Sequence, residues 1–174
     1  MKLKTILFDA VAIDRALSRI AHEIVEKNNG VNDIVLIGIK SGGVPIANSI
    51  KNKIDSWEKT SLAIGHLDIS SFRDDVIGLP RENTNNFTFS VVGKKVILCD
   101  DVIHTGRTTR AAIEAIIKLG RPKSIGLAVL VDRGHRELPI RPDYVGKNVP
   151  TSVSEKIIVN YDESHKLIDI SLYE

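Results

Sequence analysis

The chain has 174 residues, 43% of them hydrophobic, and a formal net charge of +2, which together fit one globular domain with a sizeable core. Its single cysteine, Cys99, excludes a disulfide framework within the chain, and no apolar run approaches the ~18 residues that a membrane-spanning helix needs. We therefore expect one domain over residues 1–174, located in the cytoplasm and without membrane association. So small a net charge does not by itself indicate nucleic-acid binding.

The N-terminal part of the chain alternates between helical and strand patterns. Apolar residues at helical spacing predict an amphipathic helix over residues 13–28, with Gly30 as its C-terminal stop. The continuous apolar run of residues 34–39 is typical of a strand buried on both faces, and it ends in a Lys-Ser-Gly-Gly loop at residues 40–43. Pro45 suits the first turn of a second helix.

The middle of the chain predicts a parallel sheet. Residues 62–69 and 95–99 have strand patterns, and a helical pattern ending at Gly120 leads to a further strand over residues 125–131. A strand, a helix and a strand in this order form a crossover unit, which implies parallel strands with helices on the sheet faces. The polar stretch of residues 70–90 is too long for a simple connection, so we expect a mobile lid or a hairpin there.

The C-terminal part has three short strand-like segments, residues 144–145, 157–159 and 168–172. We expect these segments to extend or cover one edge of the sheet. The predicted fold is therefore α/β, a parallel twisted sheet flanked by helices with a small C-terminal β region. Ligands should bind at the carboxyl ends of the parallel strands.

The segment of residues 100–109 has the pattern of a phosphate site. Asp100 and Asp101 end an apolar strand, where two adjacent carboxylates are costly unless a cation or hydroxyl groups meet them. A Thr-Gly-Arg-Thr-Thr sequence follows and opens a helix, whose free N–H groups attract an anion. The pattern matches neither GxxxxGK[ST] nor GxGxxG. The residues expected to form this site are Asp100, Asp101, Val102, Ile103, His104, Thr105, Gly106, Arg107, Thr108 and Thr109.

Residues 96–108 resemble the signature of type I phosphoribosyltransferases. In that family the paired acids hold the ribose 2′- and 3′-hydroxyls, and the Thr-Gly loop holds the 5′-phosphate. The resemblance therefore implies the type I phosphoribosyltransferase fold, with 5-phosphoribosyl-1-pyrophosphate as substrate and Mg²⁺ as cofactor. Asp100 and Asp101 would act on the metal indirectly, through ribose hydroxyls or water.

A second stretch narrows the resemblance. Residues 127–141 and 143–152 are similar, nearly residue for residue, to the pyrimidine-operon attenuation proteins that double as uracil phosphoribosyltransferases, and residues 19–23 and 68–75 also resemble them. This resemblance implies that uracil N1 displaces pyrophosphate from C1′, giving UMP. It also implies that UMP or UTP promotes binding to pyrimidine-operon leader mRNA, and that the chain forms a homodimer or a homotetramer.

The resemblance assigns expected roles to individual residues. The residues expected to act in catalysis are Arg73, Asp100 and Asp101. Those expected to hold pyrophosphate are Lys40, Ser41, Gly42, Gly43 and Arg73. Those expected to frame the uracil base are Val131, Asp132 and Arg133. A basic concavity that would contact RNA combines two cations on one face of the first helix with three others, and its members are Arg19, His22, Arg136, Arg141 and Lys147.

Four positions depart from the family pattern. The pyrophosphate loop usually reads Lys-Thr-Arg-Gly, and here Ser41 replaces the threonine, keeping its hydroxyl, and Gly42 replaces the arginine. His104 stands where tyrosine is more common, and Val153 where lysine is frequent. Two alternatives therefore stay open beside the bifunctional interpretation. The chain could be an RNA-binding regulator with little or no turnover, or a salvage enzyme for another base without RNA binding. The similarity of residues 127–152 argues against a purine base.

Overall fold

The computed structural model describes residues 1–75, 85 and 87–174 of the chain. The helices and strands within this part are β1 (Leu3–Asp9), α1 (Ala10–Lys27), β2 (Ile34–Ile39), α2 (Gly43–Glu58), β3 (Ala63–Leu67), a short 3-10 helix (Ser70–Phe72), β4 (Lys95–Ile103), α3 (Arg107–Leu119), β5 (Ser124–Asp132), β6 (Tyr144–Asn148), β7 (Lys156–Tyr161) and β8 (Leu167–Tyr173). None of the helices in this part of the chain has the length and apolar character needed to cross a membrane.

Five strands form a parallel sheet in the order β3-β2-β4-β5-β6, and three form an antiparallel sheet in the order β1-β8-β7. This arrangement confirms the predicted α/β fold with a small additional β region. The chain runs from β2 to β3 on one side and then returns to β4 on the other side of β2. The strand order therefore reverses between β2 and β4, which is where a ligand crevice is expected in such sheets.

The parallel sheet separates two hydrophobic cores. Along β2 and β4 the side chains alternate in direction, so Leu36 and Ile97 pack with α1 and α2, whereas Ile37 and Leu98 pack with α3 on the opposite face. All six residues of β2 are buried, which explains why its sequence is a continuous apolar run.

The first strand was not predicted. Most of β1 is exposed, and Leu7 and Phe8 are its only half-buried apolar side chains. An exposed strand has no clear alternation of apolar and polar residues, so its pattern carries little signal. Its place is fixed by pairing with β8, which begins more than 150 residues later at Leu167.

Several element boundaries also differ from the predicted ones. The first helix begins at Ala10 rather than at residue 13 because the Asp9 side chain caps it, accepting a hydrogen bond from the Ala12 amide at 2.8 Å. The strand predicted to end at residue 99 continues to Ile103 because it pairs with β5 as far as Asp132. Of the predicted lid, residues 76–84 and 86 lie outside the described residues.

Candidate functional site

A cavity of about 420 Å³ opens beside the carboxyl ends of β2 and β4, where the strand order reverses. Four segments of the chain line it, with the residues Lys40, Ser41, Gly42, Asp68, Ile69, Ser70, Arg73, Asp100, Asp101, Val102 and Thr108. The structure thus brings the residues expected to hold pyrophosphate together with those expected to hold ribose. Of the residues expected to hold pyrophosphate, Gly43 alone does not line the cavity, because it is buried at the start of α2.

The two carboxylates at the end of β4 are both held by backbone amides. Asp100 is 8% exposed, and its Oδ1 accepts a hydrogen bond from the Asp101 amide at 3.0 Å. Asp101 in turn accepts one from the Val102 amide at 2.7 Å. Burial raises the pKa of both carboxyls, and the charge of Asp101 raises that of Asp100 further. A cation or a ligand rich in hydroxyl groups would lower the cost of burying both charges.

The loop after β4 turns sharply into α3. Gly106 has a φ of +91°, a left-handed conformation that glycine adopts without strain, and α3 begins at the next residue. The first amide groups of a helix have no partner inside the helix, so they are available to an anion. Since Thr108 belongs to this first turn and lines the cavity, a phosphate beside the two acids would meet these amides.

The other residues of the phosphate site predicted at residues 100–109 lie around the cavity rather than in its wall. Ile103 and Thr109 are each 3% exposed and belong to the protein interior. The Thr105 carbonyl accepts hydrogen bonds from the amides of Glu137 and Leu138 at 3.0 and 3.2 Å. This contact holds the loop after β4 against the loop after β5.

The Arg107 side chain is engaged outside the cavity. Its guanidinium donates to Glu137 at 2.7 Å and to Asp74 at 2.8 Å. The Arg107 amide donates to the Thr105 hydroxyl at 3.3 Å, and the Arg107 guanidinium joins two segments of the cavity rim. His104 is also outside the lining, and burial is the main cause that lowers its pKa, with Arg133 adding to the effect.

Both glycines of the pyrophosphate loop lie too close to β4 for a side chain. A Cβ atom at Gly43 would stand 2.0 Å from the Cys99 carbonyl oxygen. One at Gly42 would stand 2.3 Å from Oδ2 of Asp101. The peptide between Lys40 and Ser41 is cis. The absence of a side chain at Gly42 therefore has a structural explanation, because it lets the Asp101 carboxylate lie directly against the loop.

The start of the predicted lid is attached to α3 by ion pairs and hydrogen bonds. The Arg73 guanidinium, which lines the cavity, is paired with the Asp75 carboxylate through its Nε at 2.8 Å and through a second, shorter contact. Asp74 accepts from Arg107, and Arg110 donates to the Phe72 carbonyl at 2.5 Å. The segment that carries Arg73 is thus fixed beside the cavity by contacts on both sides of that residue.

A second cavity, of about 620 Å³, lies beside the loop after β5. Its lining includes Asp132 and Arg133, two of the three residues expected to frame the base. Arg133 is 7% exposed and donates to the Thr151 hydroxyl at 3.1 Å and to the Ser152 carbonyl at 3.3 Å. Val131, the third, has its side chain fully buried in the hydrophobic core and is not part of this lining. Only its backbone could face a base.

Arg136 joins the loops after β4 and β5. Its guanidinium donates to the Asp132 carboxylate at 2.5 Å, to the His104 carbonyl at 2.7 Å and to the Ile140 carbonyl at 2.8 Å. A half-buried guanidinium with three acceptors holds these loops together. This geometry gives Arg136 a role in shaping the second cavity, besides the RNA contact predicted for it.

The remaining cations predicted for RNA lie around β6 and α1. Arg19 donates to the carbonyls of Val145 and Gly146 on β6, while Lys147 lies over the Phe8 ring at 4.6 Å. Arg141 is exposed and lines the same cavity as Val145. The structure thus gathers three of the predicted cations around one edge strand of the parallel sheet.

His22 is one helical turn away from Arg19 but has a different contact. Its imidazole stacks on the indole ring of Trp57 from α2, with centroids 3.8 Å apart and planes inclined by 6°. Both residues are exposed. The imidazole edge therefore stays accessible, although its orientation is set by the contact between the two helices.

The residue that the sequence did not indicate is Tyr161, at the end of β7. Its hydroxyl donates to the Gly42 carbonyl at 3.3 Å, across 119 positions of the chain, and it also interacts with the Asp101 carboxylate. No local pattern marks this residue, because its contact with the cavity depends on how the antiparallel sheet packs against the parallel one.

The carboxylates fit a metal that arrives with its substrate. The described part of the chain has no group of three or more His, Cys, Asp or Glu side chains placed to hold a metal ion. Mg²⁺ is usually bound through one or two carboxylates together with waters and substrate phosphates. Asp100 and Asp101, which lie beside the start of α3, are such a donor set.

Comparison with known proteins identifies the family. The model of the phosphoribosyl transferase domain matches residues 5–164. The chain belongs to the phosphoribosyltransferase family. It is 54% identical over 177 residues to the bifunctional protein PyrR of Thermoanaerobacter sp. (strain X514) and 53% identical over 177 residues to that of Clostridium novyi (strain NT). Each alignment covers all of this chain and 99% of the relative. The chain is thus a phosphoribosyltransferase of the PyrR type.

Solved structures share the fold. A hypoxanthine phosphoribosyltransferase from Staphylococcus aureus superimposes with a TM-score of 0.74 at 22% identity, covering 97% of this chain and 92% of that one. The enzyme of the same name from Trypanosoma cruzi gives a TM-score of 0.75 at 20% identity, covering 98% and 96%. Identities this low show that the architecture is common to these chains, and they do not indicate which base this chain uses.

The buried acid pair predicts an unusual effect of pH on stability. Because the pKa of Asp100 is raised in the folded protein, its carboxyl destabilises the fold increasingly as pH rises from the ordinary aspartate range through that raised value. We expect Asp100→Asn, which lacks this charge, to raise the melting temperature by a few degrees at pH 8 and by much less near pH 4. Thermal unfolding of the ligand-free chain across this range measures the difference.

Asp162→Asn is the matched control for this prediction. Hydrogen bonds, first among them the one from Ser164, lower the pKa of Asp162, so its charge favours the folded state above the ordinary aspartate range. The control should therefore lower the melting temperature slightly at pH 8 instead of raising it. A difference between Asp100→Asn and the parent that does not grow with pH would contradict the assignment of a buried, destabilising charge.

Proposed function

We propose that this chain transfers the phosphoribosyl group of 5-phosphoribosyl-1-pyrophosphate to uracil, giving UMP and pyrophosphate, and that it regulates pyrimidine operons by binding leader mRNA in response to uridine nucleotides. The observation that carries the proposal is the single cavity in which the loop of residues 40–42, Arg73 and the acid pair meet the start of α3. The full-length similarity to the bifunctional PyrR proteins supports both activities.

The sugar phosphate fits the cavity in one orientation. Asp100 and Asp101 accept hydrogen bonds from the ribose hydroxyls, and the amide groups at the start of α3 bind the 5′-phosphate. Lys40 and the backbone of the loop that follows it bind the pyrophosphate, on the opposite side of the acid pair. This orientation places C1′ between the leaving group and the base.

Catalysis is then mainly a matter of charge and position. Displacement at C1′ develops positive charge on the ribose ring and negative charge on the departing pyrophosphate, so the buried carboxylates and the Arg73 guanidinium oppose these charges where they form. Mg²⁺, when bound with the substrate, neutralises part of the pyrophosphate charge. Asp100 and Asp101 would hold it through ribose hydroxyls or water, and no protein nucleophile takes part.

The second cavity is the proposed site of the base. Asp132 and Arg133 lie in its wall, and the hydrogen bonds from Arg133 to the segment of residues 151–152 fix the guanidinium in place. A fixed polar wall favours one pattern of donors and acceptors on a planar base. The backbone of the loop after β5 supplies further hydrogen bonds to uracil.

The RNA surface is proposed around the edge strand β6. Arg19, Arg141 and Lys147 surround that strand, and Arg141 also lines the base cavity. A nucleotide in the base cavity thus touches the same loop that bears one of the RNA-binding cations, which gives UMP or UTP a route to influence RNA binding. A homodimer or a homotetramer in the cytoplasm would present this surface more than once.

A base-dependence assay tests the enzyme activity. The full chain is supplied with 5-phosphoribosyl-1-pyrophosphate and Mg²⁺ together with uracil, hypoxanthine or guanine, and nucleotide product is measured. We expect product with uracil only, and none from the double variant Asp100→Asn/Asp101→Asn. Product with a purine base would select the salvage alternative instead. RNA binding without product from any base would leave a regulator without turnover, which the departures at Gly42 and His104 suggest as the alternative.

A variant of Arg73 tests whether this side chain stabilises the transition state or only contributes to ligand binding. If its guanidinium meets the leaving group, Arg73→Ala should lower kcat about a hundredfold while the dissociation constant of UMP, which lacks pyrophosphate, changes by less than about twofold. Steady-state kinetics and calorimetry give the two quantities. Asp75→Asn is the control, because it removes the partner of Arg73 and keeps the guanidinium. Equal losses of kcat and UMP affinity in Arg73→Ala would show that Arg73 acts in folding or general binding.

The proposed RNA surface is tested by salt dependence. Each phosphate that a cation neutralises contributes about 0.7 to the slope of log affinity against log salt for single strands, so Arg141→Ala should make this slope shallower by about that amount. Filter-binding titrations of a pyrimidine-operon leader RNA, with and without UMP, measure the slope and the effect of the nucleotide. UMP should tighten binding by the parent.

The matched control for RNA binding is Arg121→Ala. Arg121 is also an exposed arginine, but it follows α3, on the opposite face of the parallel sheet from α1. Its removal should leave the slope unchanged. An unchanged slope in Arg141→Ala, or binding that ignores UMP, would leave the chain as an enzyme without the proposed regulatory surface.

A further inference from the structure

Tyr161 connects the antiparallel sheet to the substrate cavity. It is the last residue of β7 and is half-buried, and its hydroxyl reaches the Gly42 carbonyl in the pyrophosphate loop at 3.3 Å. The same hydroxyl interacts with the Asp101 carboxylate. A tyrosine hydroxyl carries its proton at neutral pH, so it can donate a hydrogen bond. The hydroxyl is therefore a donor placed between a loop and an acid.

Gly42 makes this arrangement possible. Any Cβ at this position would stand 2.3 Å from Oδ2 of Asp101, so the carboxylate occupies space that a side chain would take in another sequence. The loop thus lies directly against the Asp101 carboxylate on one side and accepts the hydrogen bond of the phenol at the Gly42 carbonyl. A movement of one of them changes the contacts of the other two.

The loop also needs support from its far side. Residues 40–42 line the substrate cavity, and they equally line a larger cavity of about 1300 Å³ between α1, α2 and the turn after β7. The loop of residues 40–42 therefore separates the two cavities. Tyr161 stands in the larger space, behind the loop, where it limits movement of the loop away from the substrate.

We propose that Tyr161 is a positioning residue of the substrate site, whose hydroxyl holds the pyrophosphate loop and the Asp101 carboxylate in the arrangement that binds 5-phosphoribosyl-1-pyrophosphate. This inference rests on the proposed function. Tyr161 acts through its two partners and does not touch the substrate itself. The substrate contacts both partners, because its pyrophosphate binds the loop and its ribose binds Asp101. UMP has no pyrophosphate, so of these two partners it contacts only Asp101.

The two ligands therefore test the role of the hydroxyl. Calorimetry in the presence of Mg²⁺ and without uracil measures the affinity of Tyr161→Phe for 5-phosphoribosyl-1-pyrophosphate and for UMP. Loss of one hydrogen bond corresponds to a factor of about five to ten, so we expect the first affinity to fall by about that factor and the second by about threefold or less. Tyr173→Phe, which removes a hydroxyl from β8, should bind both ligands as the parent does.

A double-mutant cycle distinguishes positioning from a contribution to folding. Gly42→Ala alone forces the Asp101 carboxylate away from the loop, so in that background Tyr161→Phe should weaken substrate binding by less than about twofold more. A residue that only stabilises the fold would give additive losses and a lower melting temperature, and that result would overturn the inference.

The remaining outcomes separate the inference from the proposed function. If the parent chain fails to bind 5-phosphoribosyl-1-pyrophosphate, both are overturned. If the parent binds it and Tyr161→Phe binds it within about twofold of the parent, the positioning role is overturned and the proposed function stands. Equal losses of affinity for the substrate and for UMP would also overturn the role, because they would place the whole effect on Asp101.

Discussion

The burial of two adjacent carboxylates at the end of β4 is the constraint on which the rest of the site depends. Two like charges in this position are unfavourable, and burial raises the pKa of both. The surrounding structure accommodates them with amide donors, with a loop that has no side chain at Gly42, and with a helix end beside them. Each of these features is also one that the proposed function assigns to a phosphorylated sugar, so the cost in stability and the proposed binding have the same origin.

Much of the fold and part of the site could be predicted from local patterns. The buried run of β2, the acids that follow an apolar strand, and the order of strand, helix and strand all reflect interactions between residues close in sequence or within one sheet. The convergence of Lys40, Arg73 and Asp100 was also predictable, because residues that follow parallel strands meet at one edge of the sheet. The predicted roles of these residues stay predictions.

The features that were missed depend on long-range packing. The strand β1 is mostly exposed and has no apolar alternation, and Tyr161 reaches Gly42 across 119 positions. The sequence also could not reveal that the Arg107 side chain pairs with Asp74 and Glu137, or that the Val131 side chain belongs to the core. In each case the residue type allowed the predicted contact, and only the arrangement of distant segments decided which contact forms.

The pairing of β1 with β8 also sets an order of assembly during synthesis. Leu3 pairs with Tyr173, so β1 has no strand partner until β8 has been synthesised. The parallel sheet, by contrast, is complete once β6 has emerged. A nascent chain can therefore assemble the acid pair and the start of α3 before β7, which carries Tyr161, has been synthesised. The contact between Tyr161 and Gly42 forms only after the parallel sheet is complete.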